Sequence, residues 1–162
     1  MKVYRASRKP RTRFDPLDSS ASIVRDGWRF NDKRSEILYA AEIQSLALLE
    51  VVVRPGWVTV DQVTVATLEI PDESIVDLET LEISLPTNWN ARPAARDAQG
   101  IGGNFLAASA AHRGNPSICG VRVPSVISTT DCNVLLNPKY KDRYRVIDWA
   151  VIPFQTLKST AT

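Results

Sequence analysis

At 162 residues, with 44% hydrophobic and 23% charged side chains, the chain is long enough for one domain with a real core and unlike a disordered segment. Its net charge of +2 is too small to argue for nucleic acid or an anionic membrane as a partner. One histidine and two cysteines without CxxC spacing, Cys119 and Cys132, argue against a zinc site and a disulfide framework, so no metal is expected.

In chain order, residues 2–5 (KVYR) read as a short first strand, followed by a Pro/Asp/Ser loop through residue 22. A turn at Gly27 leads to a second strand around residues 36–40. A helix is expected from Glu42 to Val53, stopped by Pro55-Gly56. Residues 57–70 are rich in β-branched side chains and read as a strand ending near Ile70-Pro71; residues 73–79 give a further short strand or turn. Leu85-Pro86 starts a loop holding Asn88-Trp89-Asn90, and a glycine turn leads a second helix between Ala94 and Ala111. Residues 119–128 read as a strand interrupted by Pro124, residues 133–138 as a compact turn, and residues 144–154 as the last strand. Short strands with two helices and no βαβ rhythm predict an α+β fold, a single compact domain over residues 1–162 with largely antiparallel pairing. The tail from about 156 to 162 is expected to fray. A charged N-terminus and no apolar run near 18 residues predict a cytoplasmic protein with no membrane partner.

Charge is unevenly distributed. Residues 1–13 carry six basic side chains and no acid, while residues 55–91 carry seven acids and no base. Mutual pairing or a polarised surface would both account for this.

The chemistry-bearing candidates begin with Glu50, which sits between Leu48-Leu49 and Val51-Val52-Val53. A helix apolar on every side is normally buried, and a buried carboxylate needs a partner. Glu50 therefore either pairs with a cation or faces a cavity, and a structural ion pair or a solvent edge remains the plain alternative. Arg29, on the glycine-led turn GWRFN (27–31), offers the forked donors suited to phosphate. Its flanking Trp28 and Phe30 suit core packing as well as base stacking. Tyr39 could stack on a flat ring or pack as a core tyrosine. Ser125, after Pro124, could turn its hydroxyl to a cleft or bond neighbouring backbone. His112 has no nucleophile elbow to serve, and GIGG at 100–103 lacks the lysine of a phosphate-binding loop. The residues alone lead to a carboxylate and an arginine near one cleft.

Laid end to end, Tyr4-Arg5, GWRFN (27–31), ILY (37–39), LALLE (46–50), LPTNW (85–89), RVPSV (122–126) and NVLLNP (133–138) resemble the RES-domain family, the toxins of RES–Xre toxin–antitoxin pairs. The seven motifs occur in order and span nearly the whole chain. Phe30 stands where the family has tryptophan, and the glycine common after Asn31 is absent. The family's eponymous arginine, glutamate and serine fall on Arg29, Glu50 and Ser125.

The resemblance implies a fold similar to ADP-ribosyltransferases, NAD as the substrate rather than a cofactor, and an Xre-like helix-turn-helix antitoxin that blocks the active site. It implies cleavage of the nicotinamide–ribose bond by hydrolysis or phosphorolysis, or transfer of ADP-ribose to a protein. Glu50, Arg29 and Ser125 would be catalytic, and Arg29, Tyr39, Asn31 and Ser125 would bind NAD. Arg29 would grip the pyrophosphate, Tyr39 would stack on nicotinamide, and Ser125 would bond the ligand or orient Glu50. A non-catalytic nucleotide- or protein-binding module is the rival from another class. A nucleic-acid binder using the basic N-terminus lacks a recognisable motif.

Overall fold

The computed structural model describes residues 1–24, 26–53, 61–114 and 116–153. Among these, seven strands form one sheet: β1 (Lys2–Ser7), β2 (Leu38–Ala41), β3 (Gln62–Glu69), β4 (Ile75–Asp77), β5 (Gly120–Pro124), β6 (Cys132–Leu136) and β7 (Arg145–Pro153). Their spatial order is β4-β5-β6-β2-β1-β3-β7, antiparallel except for the parallel β4–β5 pair. Two helices accompany the sheet, α1 (Gln44–Val52) and α2 (Arg96–Ala111). The architecture is α+β, as the pattern of elements predicts. The stop at Pro55-Gly56, the first residues of the strand expected from 57 and the frayed tail lie outside the described residues.

Pairing across the sheet is uneven, and the unevenness makes the site. β1 aligns with β3 at six successive positions, from Lys2↔Glu69 to Ser7↔Thr64. Against β2 it aligns at one position, Tyr4↔Ala41. The two halves of the sheet therefore part at the β1–β2 seam, and a cleft opens there with β1 on one bank and β2 on the other.

β6 lies deep in the sheet, between β5 and β2. This corrects the expectation of a compact turn at 133–138. Val134, Leu135 and Leu136 are all fully buried, and a strand covered on both faces reads as a continuous apolar run rather than an alternating one. Side chains still alternate: Val134 and Leu136 join a core with Val3, Leu38 and Leu68, while Leu135 joins a second with Phe30, Ile37 and Phe105. The strand expected over 119–128 ends at Pro124, where the proline has no N–H to offer a ladder.

Helix α2 covers the second core with Ala98, Ile101, Gly102, Phe105 and Ser109, a stripe at the helical period. The glycines expected to form a turn before it lie inside it. Gly102 has a reason to be glycine: its N–H donates to the Phe30 carbonyl at 2.7 Å. A Cβ there would stand 2.4 Å from that oxygen. The helix thus clamps the 27–31 turn, in which Gly27 takes φ +82°.

Helix α1 departs from the all-round burial expected of its composition. Only Leu46 and Ala47 are buried, packed with Ala41, Tyr4, Ala6 and Ile127, while Leu49 is 43% exposed. The helix lies on the sheet by one face, so its apolar sequence does not by itself force Glu50 inward.

Candidate active site

A cavity of about 700 Å³ occupies the seam between the sheet halves. It is lined by residues from β1, the turn at 28–30, β2, α1, the stretch after β5, and β6. Arg29, Tyr39 and Glu50 all line it, although the arginine and the glutamate lie 21 positions apart in the sequence.

Glu50 sits in the last turn of α1, which starts directly off β2. A carboxylate there opposes the negative end of the helix dipole, at a cost of about 0.3–1 kcal/mol in an exposed helix. Arg8 offsets this: its Nη2 donates to the Val51 carbonyl at 2.8 Å, satisfying an open carbonyl of the same turn. The Glu50 carboxylate makes no ion pair among the described residues. Its Oε1 instead accepts from Asn133 Nδ2 at 2.8 Å and from Ser125 Oγ at 3.3 Å, while Arg29 acts on it only across the cavity.

Ser125 is 4% exposed, and its hydroxyl oxygen accepts from the N–H groups of Ile127 at 3.0 Å and Ser128 at 3.3 Å. With both acceptances made, the hydroxyl proton is directed to Glu50. Of the two contacts expected of this serine, with a ligand or with the glutamate, the structure contains the one with the glutamate.

Arg29 Nη1 donates to the carbonyls of Trp89 and Ala91, both at 2.9 Å, so the LPTNW loop is tied to the cleft through it. Phe30 stacks on Trp89 with ring centroids 6.2 Å apart and is 2% exposed, a core residue rather than a stacking platform. Burial pulls the Arg29 guanidinium below its ordinary value; neighbouring Arg92 adds to this, while Glu50 and Tyr39 oppose it. Its remaining donor edge makes no hydrogen bond among the described residues.

Tyr39 shows its ring to the cavity beside Trp28, centroids 5.0 Å apart and planes tilted by 34°. Its hydroxyl donates to Asn31 Oδ1 at 2.7 Å and accepts from the Phe30 N–H at 3.2 Å. Asn31 is placed differently from a ligand-binding residue. It is fully buried and outside the cavity lining, with Nδ2 donating to the Ser22 and Asp32 carbonyls. It holds Tyr39 from behind.

Several lining residues stand in quoted motifs or in the basic run without having been assigned to the site. Asn133 belongs to β6, where the sequence pattern predicts a turn. Arg5, Arg8 and Lys9 of the basic N-terminal run line the cavity as well. Arg5 Nη1 donates to the Pro16 and Asp18 carbonyls, and burial lowers its guanidinium to about 10 against the pull of Asp18 and Asp15. At neutral pH it remains a cation. The acidic stretch, by contrast, pairs largely elsewhere: Glu69 with Arg145 and Asp77 with Arg122, although Asp72 meets the Met1 ammonium. Pairing of the two charged runs thus accounts for little, and the basic run contributes to the cleft.

Among the described residues, no group of three or more His, Cys, Asp or Glu side chains is placed to hold a metal, and no helix is long and apolar enough to cross a membrane.

Comparison with known proteins places this geometry in context. The sequence profile of the RES domain matches residues 2–155. The chain is 34% identical over 116 residues to "Toxin Res" of Yersinia enterocolitica, covering 71% of this chain and 70% of that protein. It is 32% identical over 127 residues to the "Prs ADP-ribosylating toxin" of a Sphingobium species, covering 76% and 74%. A "Toxin Res" of Photorhabdus laumondii is 30% identical over 125 residues, covering 75% and 73%.

Proposed function

The chain belongs to the RES domain family, and from that premise we propose that it is a toxin whose cleft binds NAD and breaks the nicotinamide–ribose bond. The observation that carries this reading is Glu50: a carboxylate held by two neutral donors, with no ion-pair contact among the described residues, in the wall of a cavity that also presents an arginine and an aromatic ring. A carboxylate that keeps its charge without a contact ion pair is suited to a substrate that becomes cationic.

When the bond between ribose and the nicotinamide ring nitrogen breaks, its electron pair goes to the nitrogen and neutralises the ring. The leaving group needs no proton, so one carboxylate suffices where ordinary glycoside cleavage uses two. The ribose carbon becomes oxocarbenium-like, and Glu50 stabilises that charge and accepts the proton of an attacking hydroxyl. Oε1 is occupied by Asn133 and Ser125, so Oε2 is the atom available for this. The outer donor edge of Arg29 grips the pyrophosphate, and the Tyr39 ring stacks on nicotinamide.

The nucleophile is water or phosphate in this reading. A second reading, transfer of ADP-ribose to a protein, is favoured by the relative named as an ADP-ribosylating toxin. A cell holding such an enzyme needs an inhibitor. Arg8 and Lys9, exposed where they line the cavity, fit a plug with an acidic segment, borne by an Xre-type antitoxin partner.

Incubating the purified protein with NAD, with and without phosphate, tests the proposal. Free nicotinamide with ADP-ribose marks hydrolysis, and a phosphorylated ADP-ribose marks phosphorolysis. Label from NAD that ends on an added cell extract protein marks transfer. No nicotinamide release under any of these conditions overturns the reading.

A further inference from the structure

We propose that Asn133 is a positioning residue that fixes the Glu50 carboxylate and thereby sets which of its oxygens meets the substrate. The inference rests on the reading of Glu50 given above and extends it to a residue outside the arginine–glutamate–serine set.

The position is unusual for an amide. Asn133 belongs to β6, and its Cα is held by ladders on both sides, opposite Ala41 of β2 and Val123 of β5. The residues that follow it, Val134, Leu135 and Leu136, are fully buried and apolar. By the two-residue period Asn133 shares the face of Leu135, where an apolar side chain would continue the pattern. Asn133 is half-buried in the cavity wall, and its carboxamide gains by a partner that replaces the hydration lost there. The partner is Glu50, at 2.8 Å and 83 residues away in sequence.

Of the two donors on Oε1 the amide is the nearer, 2.8 Å against 3.3 Å for the Ser125 hydroxyl. The two also differ in what holds them. Ser125 stands just beyond the end of β5 and depends on two turn N–H groups. Asn133 is mounted on a strand paired on both sides, a stiffer support for a group that must be placed to a fraction of an ångström. A charge-assisted N–H···O bond from a fixed strand pins Oε1 and reserves Oε2 for the ribose or the attacking hydroxyl. Side-chain entropy that a glutamate in a helix's last turn would otherwise retain is removed before substrate arrives.

The test measures nicotinamide release by Asn133→Ala and Asn133→Asp, each alone and combined with Glu50→Gln. Loss of placement should lower kcat roughly tenfold or more, since small misplacements at a reacting centre are costly, and leave KM for NAD unchanged. Asn133→Asp keeps the volume but sets a second carboxyl against Glu50; the two repel or share a proton, and either way Glu50 loses its fixed full charge, so the change should be at least as damaging as alanine. In the Glu50→Gln background neither change should cost further turnover, because the group they act through is gone. Equal losses in both backgrounds, a rise in KM with kcat intact, or an active Asn133→Asp would overturn the proposal. If the alanine variant does not fold, the aspartate variant carries the same comparison, with melting temperature as the control. Should the wild-type protein release no nicotinamide, the NAD reading fails on its own. The crystal structure of the Asn133 variant then decides positioning: a Glu50 carboxylate in another rotamer supports it, and an unmoved one overturns it.

Discussion

The two walls of the cleft are built on different principles. The wall made by the 27–31 turn and Tyr39 is fastened largely through main chain: Arg29 to the Trp89 and Ala91 carbonyls, Asn31 to the Ser22 and Asp32 carbonyls, Phe30 to the Gly102 N–H. The wall made by α1 and β6 fastens its key group through side chains, Ser125 and Asn133 on Glu50. Backbone acceptors cannot be mutated away, so the first wall is a rigid receptor whose variants lose a ligand contact. Side-chain donors can be removed singly, so the second wall is where turnover is tuned with little change in binding. The comparison predicts a split: changes on the first wall appear in affinity and changes on the second in rate.

The largest effect should come from Glu50→Gln. The amide keeps the size of the side chain and removes the charge that meets the cationic ribose. Nicotinamide release should fall roughly 10²-fold or more, the usual consequence of deleting one preorganised electrostatic group. Affinity for NAD should hardly move, because the charge acts when the ribose becomes cationic. Stability should also hold. Glu50 has no ion-pair partner among the described residues, so the about 3–5 kcal/mol lost on breaking a buried pair is not at stake. Turnover and melting temperature on one preparation check this; normal turnover by the variant removes Glu50 from the chemistry.

Next in size is Arg29→Lys. Lysine keeps the charge but has no planar fork, so it cannot satisfy two carbonyls and a pyrophosphate together. NAD affinity should drop about tenfold, near the 1.4 kcal/mol equivalent of one good contact. The 86–91 loop, which Arg29 ties down, should become easier to cleave by protease in the same variant. Calorimetry checks the first and timed proteolysis the second. Unchanged affinity with a loosened loop would make Arg29 a structural tie alone, and the split between the walls would fail.

How much of this was legible beforehand follows the same division. The α+β class, both helices and every strand but β6 (β4 only as a strand or turn) follow from local pattern, because periodicity and turn residues act over a few positions. The order of short motifs pointed to Arg29, Glu50 and Ser125 and to the family. What local pattern could not give is the seam, since one aligned position between β1 and β2 is a property of the assembled sheet. It also could not give Arg8, whose carbonyl partner lies 43 residues away, nor Asn133, hidden at the head of a run whose double burial erased the alternation of a strand. Asn31 shows a related limit: it lies two positions from Arg29 in the sequence, but the turn sends the two in different directions, one to the cavity and one beneath Tyr39.

Tyr39→Phe gives the smallest expected effect on turnover and the finest test of the first wall. The change keeps the ring that would stack on nicotinamide and deletes the hydroxyl. That hydroxyl joins Asn31 Oδ1 and the Phe30 N–H, so both lose the partner they have in this structure. Asn31 is fully buried, and water cannot easily replace the bond. Leaving buried polar atoms unsatisfied costs about 1–3 kcal/mol. For a domain of this size each kcal/mol lowers the melting temperature by about 2–4 °C. If the ring alone serves the ligand, the variant melts earlier but keeps its KM and kcat. If the hydroxyl is what holds the 27–31 turn in register for Arg29, KM rises along with the loss of stability. Scanning calorimetry and steady-state kinetics on the same sample separate the two. A raised KM would show that the first wall, like the second, depends on a single replaceable side chain, and the contrast between the walls would then reduce to one of degree.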